Sequence, residues 1–333
     1  MTNTEIITDF TTKIANYTLQ YPDIHPKQNY VSILIVRELL SAARFTTDGT
    51  EANSAILNIQ GTDVTVGKLF GRKQVASDRR MAKALQRSVL ESKMKTIDEK
   101  WKGCSMGVTD MCQKCPECIL FGSAASDEGI SITSRVLYDE AYTIRSLGIV
   151  VEEVFQNAPG DNYAKTPTSG IREPDFFKEG TLFPCVVTLR DVTAEEVLFF
   201  LNVTDRNSRY GATGTRFGKT KNHILGIFCS HREGPSSLEI SREIALKMTR
   251  EDDMDLNAVM NRDTLDCGGV CNDAVILYEN LAEKHRIMYD KIDSAQVSAV
   301  LHAMQDDAVI QEILEKQVDN IQNSTFLTVK KNS

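Results

Sequence analysis

The stretch TLFPCVVTLRDVTAEEVLFFLNV, residues 181–203, predicts a strand that leads directly into a helix. Its first half is rich in β-branched residues, and Pro184 lies near the beginning of the strand, where proline is tolerated. Thr193 precedes Glu195 and Glu196, the capping-box arrangement that begins a helix. The fold class can be inferred from the order of the other elements around this strand and helix.

The segments on either side of this strand and helix complete the order strand, helix, strand, strand, helix, strand. Residues 29–39 and 222–231 read as strands because they are apolar and β-branched. Residues 76–96 read as an amphipathic helix that Ser77 or Asp78 could cap, and residues 130–144 alternate like one strand. This order is typical of a ferredoxin-like or RNA-recognition-motif core with long insertions, in the α+β class. The predicted divisions are a core at 28–250, a helical and cysteine-rich insertion within it at 40–129, a projecting hairpin at 145–180, and an acidic, mostly helical region at 251–333.

The composition excludes several classes of protein. The 333 residues begin with neither a basic nor an apolar leader segment, and no apolar run approaches the ~20 residues of a membrane span. We therefore expect a cytoplasmic protein with no membrane partner. In that setting the eight cysteines are expected to be reduced thiols or metal ligands.

Charge is distributed unevenly along the chain, whose formal net charge is -8. Residues 72–102 contain ten Lys or Arg and four acids, and residues 206–232 contain six Lys or Arg and no acid. From Glu251 onward there are sixteen acids and seven bases. Two basic blocks and an acidic tail predict a polyanion-binding face on a body that is negative elsewhere.

Four cysteines lie close together in GCSMGVTDMCQKCPECILFG, residues 103–122. Cys104, Cys112, Cys115 and Cys118 supply four soft donors, the set that a structural zinc ion prefers. Ordinary reduced thiols are the alternative. Cys267 and Cys271 are too far apart for a Cys-x-x-Cys knuckle, so they are expected to be free thiols.

The second basic block contains the glycine-rich segment RYGATGTRFGKTKNH, residues 209–223. The end of a nucleotide-binding phosphate loop is matched by Gly218, Lys219 and Thr220, but the first glycine of that motif falls on Thr213. A loop that lets its backbone approach a polymer of phosphates fits better, and a plain basic surface loop remains the alternative.

These features together resemble a known family. The run FFKEGTLFP, TLRDVTAEEVLFFL and RYGATGTRFG, with the cysteine-rich insertion, looks like the repeating backbone subunit of type I-D CRISPR surveillance complexes, the Csc-two form of the Cas seven family. The resemblance covers about residues 28–250. It implies a filament of head-to-tail copies on a guide RNA, with the bases left free to pair with a target DNA strand and with other subunits of the complex as partners.

The resemblance also implies roles for individual residues. The 145–180 hairpin would be a thumb that reaches over the guide and displaces a nucleotide, with Arg145, Lys165 and Arg172 near phosphates. The candidate wedge residues are Val150, Val151, Val154, Phe155 and Ile171. The candidate RNA-binding residues are Arg37, Arg72, Lys73, Arg79, Arg80, Lys83, Arg87, Arg145, Lys165, Arg172, Arg209, Gly211, Gly214, Arg216, Gly218, Lys219 and Lys221.

No catalytic constellation is evident in the sequence. Backbone subunits of the related type III complexes cleave RNA with a loop aspartate, and no such residue can be assigned here, so we expect no enzymatic activity. The alternative is a metal-dependent or histidine-dependent ribonuclease on the same fold, using His223 or His231. A zinc-stabilised interaction module that binds no nucleic acid is a third hypothesis.

Overall fold

The computed structural model describes residues 1–46, 49–91, 104–107, 110–124, 131–153, 155–156 and 171–327. Within these ranges the chain is an α+β protein with antiparallel sheets and a helical C-terminal region. The strands are β1 (Tyr30–Leu39), β2 (Ser54–Ile59), β3 (Thr62–Leu69), β4 (Val136–Tyr138), β5 (Ala141–Ser146), β6 (Val151–Glu152), β7 (Phe155–Gln156), β8 (Ile171–Arg172), β9 (Phe176–Phe177), β10 (Leu182–Arg190), β11 (Thr220–Ser230) and β12 (Tyr289–Asp293). The α-helices are α1 (Asn3–Ile14), α2 (Gly71–Gln86), α3 (Pro116–Phe121), α4 (Leu147–Val150), α5 (Ala194–Arg206), α6 (Ser237–Glu251), α7 (Leu256–Met260), α8 (Cys267–Lys284), α9 (Ser294–Ala303) and α10 (Asp307–Gln322). A π-helical turn at Arg87–Glu91 continues α2, and 3-10 turns lie at Ala15–Tyr17 and Thr325–Leu327.

The central sheet has five strands in the order β12, β11, β1, β10, β4, and each neighbouring pair is antiparallel. The middle strand, β1, is buried over most of its length. Ile33 and Ile35 enter one hydrophobic cluster together with side chains of α5, whereas Leu34 and Val36 enter a second cluster with side chains of α6 and α8. Because successive side chains of a strand point to opposite faces, both faces of the sheet are covered.

The strand and helix predicted for residues 181–203 are confirmed as β10 and α5. The backbone N–H of Glu196 donates to Thr193 Oγ1 at 3.2 Å, and the backbone N–H of Thr193 donates to Glu196 Oε2 at 2.9 Å. The capping box is therefore present, and it satisfies two donors that a helix N-terminus would otherwise leave without partners.

Two predicted elements differ from the structure. The helix α2 begins at Gly71, so Ser77 and Asp78 are buried inside it and do not cap it. The single strand predicted for residues 130–144 is two strands in the described part, since β4 lies in the central sheet and β5 in a three-stranded sheet of order β2, β3, β5. The chain divides at Asp139, whose carboxylate accepts the backbone N–H of Ser237 at 2.9 Å and so is held at the start of α6.

Within the segment 145–180, the described parts near its two ends pair with each other. Strand β6 pairs with β9, and β7 pairs with β8, both antiparallel. Lys165 and Val154 lie outside the described residues. None of the described helices combines the length and the apolar character needed to cross a membrane.

Candidate nucleic-acid interface

The glycine-rich segment forms a closed loop that rests on the chain just after β1. Its ends meet where Arg209 bridges to Lys219 and where the N–H of Tyr210 donates to Gly218 O at 3.0 Å. The loop is anchored from below by the N–H of Gly218, which donates to Ala42 O at 2.8 Å, and by a similar bond from Ala212 to the carbonyl of Arg44. The loop therefore has a defined shape before any ligand binds.

Two of the glycines are explained by contacts within the protein. Gly211 has a φ of +94°, and a Cβ there would lie 2.5 Å from the carbonyl oxygen of Arg44. Gly218 has a φ of +77°, and its Cβ would lie 1.9 Å from Tyr210 O. The sequence suggested that these glycines admit a ligand, but they admit the protein's own backbone. Gly214 is different, because no atom lies within 4 Å of a Cβ built on it.

The tip of the loop has backbone donors without a partner among the described residues. The N–H groups of Arg216 and Phe217 both donate to Thr213 O, at 3.0 Å and 3.1 Å. Thr213 has a positive φ of 54°. In the part of the chain that the structure describes, the N–H groups of Thr213, Gly214 and Thr215 have no protein acceptor. Successive N–H groups of this kind can bind an anion.

The cationic side chains of the loop are exposed. The side chains of Arg209, Arg216, Lys219 and Lys221 are all exposed. The guanidinium of Arg209 also donates to Phe217 O at 3.1 Å, which orients it across the loop. These four cations remain accessible to a polyanion.

A cleft joins this loop to helix α2. It encloses about 570 Å³, and its lining includes Arg80, Met81 and Ala84 from the helix and Arg209, Gly214 and Thr215 from the loop. Asn207, which also lines the cleft, is held in place by a hydrogen bond from its Nδ2 to the buried Asp78 Oδ1 at 2.6 Å. The two basic blocks of the sequence thus meet at Arg80 and Arg209, and none of the described residues that line the cleft is acidic.

Arg37 requires a correction. Its side chain is fully buried, with Nη1 donating to the Tyr210 hydroxyl at 2.5 Å and to Asn222 Oδ1 at 2.6 Å. Its Nη2 lies 3.6 Å from Asp78 Oδ2. Burial alone would lower the pKa of Arg37. The electrostatic effects of Tyr210, Cys185 and Asp78 are larger together, so the pKa of Arg37 is raised. The residue ties β1, α2 and the loop together, and it does not reach the surface.

Three other expected RNA-binding residues are also engaged inside the protein. Lys83 is almost fully buried beside the cysteines, and Arg145 is buried against the backbone carbonyls of Asp263 and Gly180. Arg79 pairs with the buried carboxylate of Glu117 at 2.5 Å and donates to a backbone carbonyl at 2.8 Å. In each case the cation is paired with acceptors inside the protein. These are thiols and a carboxylate for Lys83, backbone carbonyls for Arg145, and a carboxylate and a carbonyl for Arg79.

The remaining expected residues are placed as follows. Arg72 and Arg87 are exposed, with Arg72 over the ring of Phe70 at 4.1 Å and Arg87 donating to Cys104 O at 2.8 Å. Lys73 is half-buried and donates to Thr46 O at 3.4 Å. Of the wedge candidates, Val150 is buried and Val151 is half-buried. The backbones of Phe155, Ile171 and Arg172 are described as strand, whereas their side chains lie outside the description.

The four cysteines of the insertion converge. All four Sγ atoms lie within 4.8 Å of one another, with Cys104 Sγ 3.5 Å from Cys118 Sγ and 3.9 Å from Cys115 Sγ. Backbone N–H groups point at the sulfurs, since Cys112 N donates to Cys104 Sγ at 3.2 Å and Cys115 N donates to Cys112 Sγ at 3.3 Å. This group could hold a metal ion.

Charges missed by the sequence analysis surround this group. Lys83 Nζ lies 2.7 Å from Cys104 Sγ and 2.9 Å from Glu117 Oε2. Burial lowers the pKa of Lys83, but the thiols and Glu117 raise it by more, so its pKa is raised overall. Hydrogen bonds between the sulfurs lower the pKa of Cys104 and raise those of Cys115 and Cys118. This arrangement could not be predicted from the sequence, because nothing in the spacing pairs a helix lysine with a distant glutamate.

Comparisons with known proteins agree with one another. A family model described as Csc2 Crispr matches residues 10–322. The crystal structure of Thermofilum pendens Csc2 aligns with a TM-score of 0.64 and 17% identity, covering 98% of this chain and 99% of that chain. A chain of a CRISPR RNA-guided surveillance complex aligns with a TM-score of 0.51 and 12% identity, covering 84% and 99% of the two chains. At these identities the two structures show a shared fold. A search of curated proteins gives no significant match.

Proposed function

The chain belongs to the Csc2 CRISPR family, and from this membership we propose that it is a non-catalytic backbone subunit of a type I-D CRISPR effector complex. Copies stack head to tail along a guide RNA, hold its phosphates, and leave the bases to pair with a target DNA strand. The observation that carries the proposal is the cleft lined by Arg80 of α2 and, from the loop, by Arg209 and by Gly214 and Thr215, whose N–H groups have no acceptor among the described residues.

The chemistry of this cleft suits a phosphate backbone more than bases. Arginine side chains and backbone N–H groups bind phosphate without reading sequence. The central sheet supports the same conclusion, since both of its faces are covered by buried clusters and offer no platform on which bases could stack. A guide must be held irrespective of its sequence, so this kind of grip fits the proposed role.

We also propose that the core is ferredoxin-like, extending over residues 28–250. The four strands of the predicted pattern are β1, β4 with its continuation, β10 and β11, and in the sheet they lie in the order fourth, first, third, second. That order supports the assignment because the first and third strands of such a core are central. Helix α2 follows the first strand and α5 follows the third, as the pattern requires.

The cysteine group is proposed to bind zinc in a structural role. A zinc ion bound by four thiolates at about 2.3 Å places its sulfurs roughly 3.8 Å apart. The separations of 3.5 Å and 3.9 Å from Cys104 fit this arrangement with small adjustments. All four positions would be filled by Cys104, Cys112, Cys115 and Cys118, so the ion would close the insertion. Lys83 would offset part of the thiolate charge.

Head-to-tail stacking accounts for the charge distribution. In a heterologous interface, different surfaces of the two copies meet, so the acidic region after residue 251 can lie against a basic surface of the next copy. The hairpin at 145–180, with its antiparallel pairs β6–β9 and β7–β8, is the proposed thumb.

The ribonuclease alternative receives no support from the two histidines on which it depends. His223 Nε2 lies 2.8 Å from Glu38 Oε2 and next to two thiols, and His231 Nδ1 lies 3.1 Å from Asn29 Oδ1. Neither ring lines the cleft. Non-enzymatic binding therefore stays our proposal.

Binding of an unstructured, labelled single-stranded RNA at a series of salt concentrations tests the proposal. We expect sequence-independent binding that weakens steeply with salt, and a flatter slope for Arg216→Ala/Lys219→Ala/Lys221→Ala. The matched control is Lys13→Ala/Lys284→Ala/Lys316→Ala, which removes the same charge from exposed helical positions far from the loop in sequence. Equal loss in both triple variants, or no binding by folded wild type at low salt, would contradict a specific grip by the loop.

A further inference from the structure

A second group of metal-binding side chains lies where β1 ends and β11 begins. His223 Nε2 is 2.8 Å from Glu38 Oε2 and 3.6 Å from Cys267 Sγ. Cys267 Sγ is 3.8 Å from Glu38 Oε2 and 4.0 Å from Cys271 Sγ. The donor atoms of His223, Cys267 and Cys271 all lie within 4.8 Å of one another. One nitrogen and two sulfurs therefore surround a common point, and the Glu38 carboxylate lies beside the nitrogen and one of the sulfurs.

Three elements bring these residues together. Glu38 and His223 lie on the paired strands β1 and β11, where His223 is opposite Val36 and Glu38 is opposite Lys221. Cys267 and Cys271 lie in the first turns of α8, and a spacing of four residues puts both on one face of a helix. The sequence analysis expected free thiols because the spacing does not suit a knuckle turn. A helix presents the same two residues together, which the sequence analysis did not consider.

We propose that Glu38, His223, Cys267 and Cys271 bind a second zinc ion. Thiolate, imidazole and carboxylate are all zinc ligands, and a mixed set with two sulfurs favours zinc over magnesium or calcium. Bond lengths of about 2.0 to 2.3 Å require donor separations of roughly 3.3 to 3.8 Å. The separations of 3.6 Å from His223 Nε2 to Cys267 Sγ and 4.0 Å between the two sulfurs lie close to that range. Glu38, which is next to two of these donors, would move in as the fourth ligand and complete a tetrahedron, so the proposed role is structural.

Other uses of these side chains fit less well. Burial raises the pKa of Cys267 to about 12, and the pKa of Cys271 is also raised, so neither residue is a ready nucleophile without a metal. A His–Glu pair acting as a general base would need an unobstructed nitrogen facing a substrate, whereas His223 Nε2 already faces Glu38 and Cys267. A disulfide between Cys267 and Cys271 is the remaining alternative, and the experiment below distinguishes it.

The proposed ion would fasten the C-terminal helical region to the strand that carries the RNA-binding loop. Strand β11 begins at Thr220, directly after Lys219, and His223 lies three residues further along. The N-terminal end of α8 already packs against the second hydrophobic cluster through Val270, Cys267 and Cys271, and a metal there would add a direct link to β11.

Metal content of the full chain, purified with zinc and reductant and measured by plasma mass spectrometry, tests the proposal. We expect about two zinc ions per wild-type chain and about one in Cys267→Ser/Cys271→Ser. His223→Gln should also lose one ion. His231→Gln is its matched control, because His231 lies on the same stretch of chain but bonds to Asn29, and it should keep both.

A chelator titration of the wild type avoids dependence on variants that fold poorly. The insertion site has three buried cysteines, whereas all members of the second site are half-buried, so zinc should leave in two phases with the second site first. Co²⁺ added after the first phase should enter the emptied second site. Its thiolate-to-metal charge-transfer absorption should be weaker than that of Co²⁺ bound by four thiolates. One ion per chain, unaffected by His223→Gln, would overturn the proposal, as would a mass showing a Cys267–Cys271 disulfide in place of a metal.

Discussion

The two basic blocks of this chain look alike in sequence and behave differently in the structure. In the described part of the first block, Arg79 and Lys83 turn inward to Glu117 and the cysteines, while Arg80 stays exposed. In the second block, Arg209, Arg216, Lys219 and Lys221 are all exposed. Counting charges along the sequence therefore overestimates the cationic surface of a helix that has buried acceptors. For the exposed loop, the same count gives the number of accessible cations correctly.

The largest effect is expected where a cation is buried. Arg37→Leu removes the charge that faces Asp78 and leaves that carboxylate in a site with no exposed surface. Breaking a buried pair in this way costs about 3–5 kcal/mol in free energy of unfolding. Urea unfolding followed by circular dichroism measures the change.

The control for this prediction is Arg80→Ala, from the exposed side of α2. Its free energy of unfolding should change by no more than about 0.5 kcal/mol. If the two variants lose similar stability, the distinction between buried and exposed cations made here is wrong.

A second comparison lies within the loop itself. Gly218→Ala places a Cβ against Tyr210 O and forces a side chain onto a positive φ, which should cost about 1–3 kcal/mol. Gly214→Ala meets open space and should stay within about 0.5 kcal/mol of wild type. Thermal unfolding of the pair measures the difference. Equal destabilisation would mean that the loop does not close on Tyr210 as described.

Whether an interaction could be predicted from the sequence depends on how far apart its residues lie in the chain. The capping box of Thr193 and Glu196 spans three residues, and it was predicted correctly. The four cysteines of the insertion span fifteen residues and were correctly expected to converge. Such local patterns carry their own geometry, since a turn or a helix fixes the distance between their members.

The partners that were missed are distant in the chain. Arg37 bonds to Tyr210 across 173 residues and to Asn222 across 185, and no periodicity links such positions. The group of Glu38, His223, Cys267 and Cys271 likewise requires the pairing of β1 with β11 before its members become neighbours. Physical reasoning on sequence can name the residue types of such sites, but the register of the sheet decides which of them meet.

The smallest effect is expected at the cleft where the two basic blocks meet. Arg80→Ala/Arg209→Ala removes one cation from each side of the cleft and should leave the fold unchanged, because both side chains are exposed. If each contacts one phosphate, the slope of log K against log salt should fall by about 1.4, since each contact with single-stranded RNA contributes about 0.7. Fluorescence anisotropy at several salt concentrations measures the slope. Lys13→Ala/Lys284→Ala, which removes two cations elsewhere, should leave it unchanged. A loss of about 0.7 would mean that only one block contacts RNA, and the single variants would then identify which one.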